Sequence, residues 1–347
     1  MQVNEKVLSS FSGKDVVSYE IKNKNGFELK VLNYGAVITD ILVPDRNGNV
    51  ENVVLKYQDI DVYENNPSYI GATLGRTAGR INVGEAVFQG KTLTFNKNYG
   101  THQGQGGDIG FNKVFWTAKT FINETSAGVQ FTYLSKDGEE GYPGNLETKI
   151  TFTVTEENEL KVNYKGVSDK DTLVNLSNHC YFNLSGNGKH SVLEHKLFID
   201  SDKIVELQET QVPTGNFMKV ENTPFDFREV KAVGKEIDSD HPQINLARGY
   251  DHPWVLNEGD SKKVHIYDDV SGRNMEIYTD QETVVIYTMN YKNAEPLFDG
   301  IAQEIRYGIC FETQSPPVGI DSCFVDNSTL KAGEEYNKTT IYKFYTK

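Results

Sequence analysis

Apolar and polar residues alternate along much of the chain, which is the spacing of β-strands. In residues 150–154 and 160–164 every second residue is apolar. Side chains two positions apart point to the same face of a strand, so these segments bury one face and expose the other. The same alternation, or a short apolar run, predicts further strands at 53–55, 129–134, 174–176, 263–267, 275–279, 284–288, 308–312 and 340–345.

Turn sequences separate these strands, and helical patterns are rare. Glycine-containing turns such as Lys24-Asn-Gly and Lys136-Asp-Gly are typical of hairpins. The windows best suited to a helix are short, at 59–64 and 229–237. Strands do not alternate with long helices, which disfavours a parallel α/β fold. We therefore predict an all-β protein with few short helices, in which residues 1–347 form a single antiparallel β-sandwich domain.

Charge and cysteine content narrow the possible partners. The formal net charge is −14 and the basic residues are scattered, which argues against binding to nucleic acid or an anionic membrane. The three cysteines lack CxxC spacing, so neither a disulfide framework nor a zinc site is expected. The sequence shows no signal peptide and no 18-residue apolar run. We expect a cytoplasmic protein, either a monomer or a homodimer.

A glycine-rich stretch at 98–111, NYGTHQGQGGDIGF, is the most unusual local sequence. A dinucleotide-binding fingerprint would need glycine at Ile109 and a helix afterwards, whereas residues 113–117 resemble a strand. Phosphate binding is therefore disfavoured. Two interpretations remain open. The glycines supply positive φ angles in a wide turn, or they let the backbone approach a ligand that His102 and the two glutamines contact.

Several polar residues stand in contexts that suggest chemistry. Glu312 lies within an apolar strand, where it either faces water at a rim or is a carboxylate with a raised pKa, suited to act as a base. His179 lies in an apolar and aromatic stretch, as a core histidine or as a catalyst. Arg76 and Arg80, four apart among glycines, contact a ligand or form structural ion pairs. Surface or structural roles are expected for His190, His195, His241 and His265.

Seven segments in a fixed order carry a family resemblance. They are Asn33-Tyr-Gly-Ala, Gly75-Arg-Thr-Ala-Gly-Arg-Ile, Asp137-Gly-Glu-Glu-Gly-Tyr-Pro-Gly-Asn-Leu, Asn178-His-Cys-Tyr-Phe-Asn-Leu, Gly249-Tyr-Asp-His-Pro, Phe311-Glu-Thr-Gln and Leu330-Lys-Ala-Gly-Glu-Glu-Tyr. Together they resemble the aldose 1-epimerases, the galactose mutarotase family. The resemblance implies a large β-supersandwich and an isomerase that interconverts the α and β anomers of a monosaccharide such as galactose or glucose. It implies neither a metal nor an organic cofactor.

The resemblance also assigns roles to residues. It implies that Glu312 is the general base and His179 the general acid of ring opening. By the same resemblance Arg80 and Asp251 bind sugar hydroxyls, and Arg76 matches a further substrate-binding position whose contact is less defined. Tyr181 and other aromatic residues near the site are candidates for packing against the apolar face of the sugar.

One position departs from the family pattern. Counting back from Gly106 and Gly107 places Gln105 where the family has a second active-site histidine. An amide donates and accepts hydrogen bonds but cannot carry a proton. His102 would need a three-residue shift of the loop to replace the missing imidazole. This departure motivates one alternative, a sugar-binding protein with weakened catalysis. A separate alternative is an epimerase for another sugar such as a disaccharide, a pentose or a hexose 6-phosphate.

Overall fold

Antiparallel β-strands make up most of the computed structural model, which describes residues 1–347 apart from the side chain of Asp299. In chain order the strands are β1 (Gln2–Phe11), β2 (Lys14–Lys22), β3 (Glu28–Leu32), β4 (Ile38–Pro44), β5 (Val50–Asn52), β6 (Thr73–Leu74), β7 (Arg80–Ile81), β8 (Glu85–Phe88), β9 (Lys91–Thr94), β10 (Gln103–Gly104), β11 (Thr117–Ile122), β12 (Ser126–Ser135), β13 (Leu146–Thr155), β14 (Glu159–Ser168), β15 (Thr172–Leu173), β16 (Ser177–Asn178), β17 (Tyr181–Phe182), β18 (Lys196–Ile199), β19 (Ser201–Leu207), β20 (Pro213–Lys219), β21 (Lys231–Ala232), β22 (Asp251–Leu256), β23 (Val264–Tyr267), β24 (Arg273–Thr279), β25 (Thr283–Tyr287), β26 (Ile309–Gln314), β27 (Thr329–Leu330) and β28 (Glu335–Thr346).

The helical segments are short. Helix α1 (Pro242–Ala247) begins with proline at its first position, and the side chain of His241 accepts a hydrogen bond from the backbone N–H of Gln243. The remaining helical segments of the described chain are 3₁₀ turns at Ile60–Glu64, Asn82–Gly84, Phe111–Lys113, Glu139–Gly141, Val192–Glu194, Val233–Lys235, Phe298–Gly300, Ile320–Ser322 and Val325–Ser328. The described part of the chain has no helix with the length and apolarity needed to span a bilayer.

Three large sheets form the body of the protein. Strands β1 to β5 form a five-stranded meander in sequence order. A nine-stranded sheet runs β11-β12-β13-β14-β28-β24-β23-β18-β21, so the last strand lies in its centre, between β14 and β24. A six-stranded sheet runs β17-β26-β25-β22-β19-β20. The predicted all-β fold with antiparallel sheets is confirmed.

The main hydrophobic core lies between these sheets. The ring of Tyr19 in the five-stranded sheet meets Phe131 of the nine-stranded sheet, with centroids 5.6 Å apart. Phe182 of the six-stranded sheet stacks on Tyr342 of the nine-stranded sheet at 5.4 Å. Fully burying a large apolar side chain contributes about 1.5–3 kcal/mol. The shared core therefore fixes the sheets relative to one another, and with them the residues that project from their faces.

Two predicted strands are wrong because their backbones bond to side chains or to scattered segments. Strand β5 ends at Asn52, whose Oδ1 accepts hydrogen bonds from the backbone N–H groups of Ile41 and Val54, at 3.0 and 3.2 Å. Of residues 53–55 only Val54 bonds to this side chain, while the N–H groups of Val53 and Leu55 donate to the carbonyls of Ile41 and Tyr181 in two different sheets, so no continuous ladder forms. In 174–176 the successive N–H groups donate to three separate partners, namely the Ser328 carbonyl, the Arg76 carbonyl and the Tyr336 hydroxyl.

Two further predictions need correction. Residues 113–117 do not form a strand, because a 3₁₀ turn occupies Phe111–Lys113 and β11 begins at Thr117. Residues 229–237 are not a helix, since β21 pairs with β18 before a 3₁₀ turn at Val233–Lys235. The helical prediction at 59–64 is confirmed as a 3₁₀ turn whose N-terminus is capped by the side chain of Asp59. The other predicted strands overlap observed ones.

Candidate active site

A cavity of about 300 Å³ opens where the six-stranded sheet meets the loops that carry residues 67–69, 79–80, 104–105 and 179. This volume lies at the lower end of the range for small-molecule sites. Its lining combines tyrosines with a few charged or amide side chains. The polar and aromatic members that matter below are Tyr69, Arg80, Tyr99, Gln105, His179, Tyr181, Gln211, Asp251, Tyr287 and Glu312.

The alternation of strand β26 places Glu312 in this cavity. Thr313 faces the nine-stranded sheet, where its hydroxyl lies 2.6 Å from that of Thr340, and Phe311, two positions earlier, shares that face. Cys310 and Glu312 consequently point to the opposite face. Glu312 pairs directly with Val285 of β25, which also lines the cavity. The carboxyl is buried, with its residue only 3% exposed. This position contradicts the alternative of a solvent-facing rim residue.

Backbone hydrogen bonds hold His179 in place between β16 and β17. Its N–H donates to the Ala72 carbonyl at 2.8 Å, and its carbonyl accepts from the Gly71 N–H at 3.0 Å. The imidazole lies among three tyrosine rings, with centroid distances of 5.0 Å to Tyr181, 6.0 Å to Tyr287 and 6.1 Å to Tyr69. The ring therefore has little freedom to reorient.

His179 and Glu312 meet across the cavity wall. Nε2 of the imidazole lies 3.5 Å from Oε1 of the carboxyl. On the other edge of the ring, Nδ1 lies 3.5 Å from Sγ of Cys310. Residues separated by more than one hundred positions of chain are thus brought together by β26 and the β16–β17 connection. Proton transfer between a substrate and either group requires this kind of proximity.

Burial shifts both ionisable groups toward their uncharged forms. Burial raises the pKa of Glu312 to about 8, assisted by the nearby Asp251 carboxyl and opposed by Arg80 and a hydrogen bond from Gln105. Burial also lowers the pKa of His179 to about 4, with the charge of Arg80 acting in the same direction and the backbone carbonyl of His179 acting against it. Near neutral pH the pair therefore holds a single proton between two groups that are able to exchange it.

Arg80 and Asp251 form a second polar pair on the cavity wall. Nη2 of Arg80 lies 3.5 Å from Oδ2 of Asp251 and donates to Oε1 of Gln211 at 2.9 Å. The guanidinium also lies over the ring of Tyr99, 4.6 Å from its centroid. Burial raises the pKa of Asp251, and the charge of Arg80 opposes that rise. Donors and acceptors placed side by side in this way suit the hydroxyl groups of a sugar.

The glycine-rich stretch lines the cavity through Gly104 and Gln105. Gln105 itself has φ 51°, and a Cβ at the following Gly106 would lie 1.8 Å from the Gly75 carbonyl oxygen. Only glycine fits that close approach. Oε1 of Gln105 accepts a hydrogen bond from the Gly79 N–H at 2.7 Å, so its Nε2 is left to face the carboxyl of Glu312. The stretch is both a turn that needs glycine and part of the cavity wall.

Two residues considered from the sequence lie outside the cavity. Arg76 is only 2% exposed, and the 135–144 segment surrounds its guanidinium. The guanidinium donates hydrogen bonds to the carbonyls of Ser135, Lys136, Pro143 and Gly144. Arg76 does not line the cavity, so its contacts are those of a structural residue and do not support the substrate contact that the resemblance implied. His102 likewise does not line the cavity, because its Nδ1 accepts the Val83 N–H at 3.1 Å.

Several cavity residues were missed from the sequence. The period-2 pattern of β26 could have indicated that Cys310 shares a face with Glu312. No local signal predicted that Tyr69, Gln211 or Tyr287 would join the site, because they come from separate loops and strands. Tyr181, which was expected near the site, lines the cavity and donates through its hydroxyl to the Ser68 carbonyl at 2.9 Å.

Two clusters contain side chains of the kinds that bind metals. Ligand atoms of His179, Cys310 and Glu312 lie within 4.8 Å of one another, as do those of His190, His195 and Asp268. In the first cluster burial raises the pKa of the Cys310 thiol well above its ordinary value, which disfavours the thiolate a metal would need. In the second, Nε2 of His195 accepts the Leu184 N–H at 2.9 Å, so the proton resides on the Nδ1 that would face a metal.

Comparison with known proteins identifies the family of this chain. A family model described as aldose 1-epimerase matches residues 17–343. Galactose mutarotase from Rattus norvegicus is 36% identical over 337 residues, covering 96% of this chain and 95% of its own. Aldose 1-epimerase from Escherichia coli (strain K12) is 30% identical over 353 residues, covering 99% of both chains. The crystal structure of galactose 1-epimerase from Lactobacillus acidophilus NCFM superposes with a TM-score of 0.90 at 29% identity, covering 99% of both chains. The chain therefore belongs to the aldose 1-epimerase family.

Proposed function

We propose that this protein interconverts the α and β anomers of galactose and glucose, with Glu312 and His179 as the proton-transfer pair. The observation that carries the proposal is the 3.5 Å separation of His179 Nε2 and Glu312 Oε1 at the wall of a sugar-sized cavity. The substrate named here follows from the relatives, whose names specify galactose or an aldose.

Ring opening requires two proton movements. A base takes the proton of the C1 hydroxyl, the bond between C1 and the ring oxygen breaks, and an acid protonates that oxygen. Rotation about C1–C2 then presents the other face of the aldehyde, and the reverse transfers close the ring. A pair that holds one proton can perform both transfers and is restored at the end of each turnover. Each positioned proton-transfer group contributes about 10²–10⁴ in rate.

We assign the base to Glu312 and the acid to His179. Because burial favours the uncharged carboxyl and imidazole, this assignment requires the shared proton to move from Oε1 to Nε2 before the ring opens. The separation between the two atoms is short enough for a direct transfer once they close to hydrogen-bonding distance. Arg80 acts on both groups in this step, because its positive charge stabilises the carboxylate that forms and disfavours the imidazolium.

Substrate binding is assigned to Arg80, Asp251 and Gln105. The first two present a cation and a carboxyl side by side, and Gln105 offers an N–H next to Glu312. Tyrosine rings around His179 supply apolar surface for the face of the sugar. A sugar-binding protein without catalysis is not favoured, because a protein that only bound sugars would have no need of the assembled acid–base pair.

Polarimetry on freshly dissolved α-galactose and α-glucose tests the proposal. Wild-type protein is expected to accelerate the approach to the anomeric equilibrium, and Glu312→Gln and His179→Gln are each expected to lose about 10²–10⁴ of that acceleration. His265→Gln is a matched control, because His265 lies outside the cavity and bonds to Asn274. A wild-type protein with no acceleration above buffer on any common aldose would contradict the proposal.

A further inference from the structure

The imidazole of His179 is contacted on both edges by a single strand. Glu312 lies at Nε2 and Cys310 at Nδ1, each 3.5 Å away. Residues i and i+2 of a strand point to the same face and are about 6.6 Å apart along it, which is enough to span an imidazole ring. Strand β26 therefore determines what each ring nitrogen meets.

The groups beside the two ring nitrogens of His179 indicate which nitrogen carries the hydrogen of the neutral imidazole. The Sγ atom of Cys310 lies beside Nδ1, and the carboxyl of Glu312, which burial keeps protonated near neutral pH by raising its pKa to about 8, lies beside Nε2. The thiol has no other hydrogen-bond partner among the described residues, and it is fully buried. A protonated carboxyl donates its hydrogen, whereas a thiol is only a weak donor and a weak acceptor. With the Glu312 carboxyl donating toward Nε2, the ring hydrogen belongs on Nδ1, where Sγ of Cys310 is the available acceptor.

Resting on the proposed function, we propose that Cys310 is a positioning residue that keeps the neutral imidazole of His179 in its Nδ1–H tautomer, leaving Nε2 as the nitrogen that exchanges protons. An acid that gives up its proton from Nε2 must end as the Nδ1–H tautomer. The opposite tautomer would already hold a proton on Nε2 and could not take one back when the ring closes. The thiol thus favours the tautomer of His179 that remains after Nε2 has donated its proton.

The tautomer can be measured directly. In protein labelled with ¹⁵N-histidine, two-bond ¹H–¹⁵N correlations distinguish the two neutral tautomers, and His179→Gln identifies the signal of interest. At pH 7 wild-type protein is expected to show the Nδ1–H tautomer of His179. Cys310→Ala is expected to show a mixture and a kcat about three- to tenfold lower, with KM unchanged, as for the loss of one modest hydrogen bond.

Two further variants separate tautomer control from packing. Cys310→Ser keeps an acceptor at this position and is expected to retain the Nδ1–H tautomer and most of kcat. Cys180→Ala removes another buried thiol, one that forms no hydrogen bond with the ring among the described residues, and is expected to change neither readout. Retention of the Nδ1–H tautomer in Cys310→Ala, or an Nε2–H tautomer in wild type, would overturn the proposal. A wild type without mutarotation would instead refute the proposed function, since the tautomer is read without turnover.

Discussion

The backbone N–H of Gly79 donates to Oε1 of Gln105 at 2.7 Å, and this contact decides which end of the amide faces the site. With Oε1 occupied, Nε2 is the atom directed at Glu312, where its hydrogen bond lowers the pKa of the carboxyl. The amide is therefore a donor that does not titrate. An imidazole at the same position would change charge within the working pH range.

Removing the amide donor of Gln105 should move the alkaline limit of activity to a higher pH. In Gln105→Leu the carboxyl of Glu312 loses a hydrogen bond that lowers its pKa, so that pKa should rise above its wild-type value. We expect kcat/KM to fall by about tenfold or more, as for a hydrogen bond to a charged group, with the descending limb of the pH profile shifted to higher pH. His102→Gln is the control and should leave both unchanged, because His102 is bonded to Val83. A profile of Gln105→Leu that coincides with wild type would show that the amide does not act on Glu312.

The wild-type pH profile should have a broad plateau. Above a pH of about 8 the pair loses its single proton and with it the acid, and below a pH of about 4 it gains a second proton and loses the base. Mutarotation rates corrected for the buffer reaction, measured from pH 3.5 to 10, test this. The apparent values belong to the pair and not to either residue. Activity that continues to rise beyond pH 9 would contradict the single-proton description.

Glu312 should destabilise the fold at alkaline pH. Its pKa is 4.5 when unperturbed and about 8 when folded, so the folded state binds the proton more tightly. The free energy of unfolding contributed by this group therefore falls as pH rises between those values and is unaffected below them. Glu312→Gln should raise Tm relative to wild type at pH 8, by an amount that corresponds to a few kcal/mol at most.

Thermal unfolding of both proteins at pH 8 and at pH 4.5 checks that expectation. The difference in Tm should shrink at the lower pH, since both side chains are then uncharged. A difference that is the same at the two values would mean that an effect other than the buried charge, such as altered packing, accounts for it.

Arg76 and Arg80 of the segment Gly75-Arg-Thr-Ala-Gly-Arg should respond differently to substitution by lysine. Arg80→Lys should raise KM about tenfold or more through loss of a charge-assisted contact, with little change in Tm. Arg76→Lys should lower Tm by several degrees, because one ammonium cannot satisfy the carbonyls that the buried guanidinium bonds. Its KM should change less than twofold. Polarimetry and thermal unfolding on both variants give the comparison, and a large rise in KM for Arg76→Lys at unchanged Tm would return Arg76 to the substrate site.

The same two arginines show where sequence reasoning stopped. Each arginine directly follows a glycine, and no local pattern indicates which of the two faces the cavity. The difference arises from the 135–144 segment, which surrounds Arg76 with carbonyl groups. The family resemblance implied that both arginines bind substrate, whereas in the structure Arg80 lines the cavity and Arg76 bonds to the 135–144 segment.

Apart from residues 113–117, strand prediction succeeded for segments of five residues or more and failed for the two three-residue segments, 53–55 and 174–176. Residues 150–154 and 160–164 pair with each other in register within β13 and β14. Residues 174–176 are as apolar, yet each N–H bonds to a different distant segment. Residues 174–176 are buried, but the identity of their backbone partners depends on the completed fold.

The central position of β28 has a consequence for how the protein is made. That strand fills the middle of the nine-stranded sheet, and Thr340 and Tyr342 on it support the back of the strand that carries Glu312. The nascent chain cannot close this sheet until residues 335–346 have been translated and have left the ribosome. Sugar turnover should accordingly be absent from stalled chains that lack only this last segment, even though every catalytic side chain has already been synthesised.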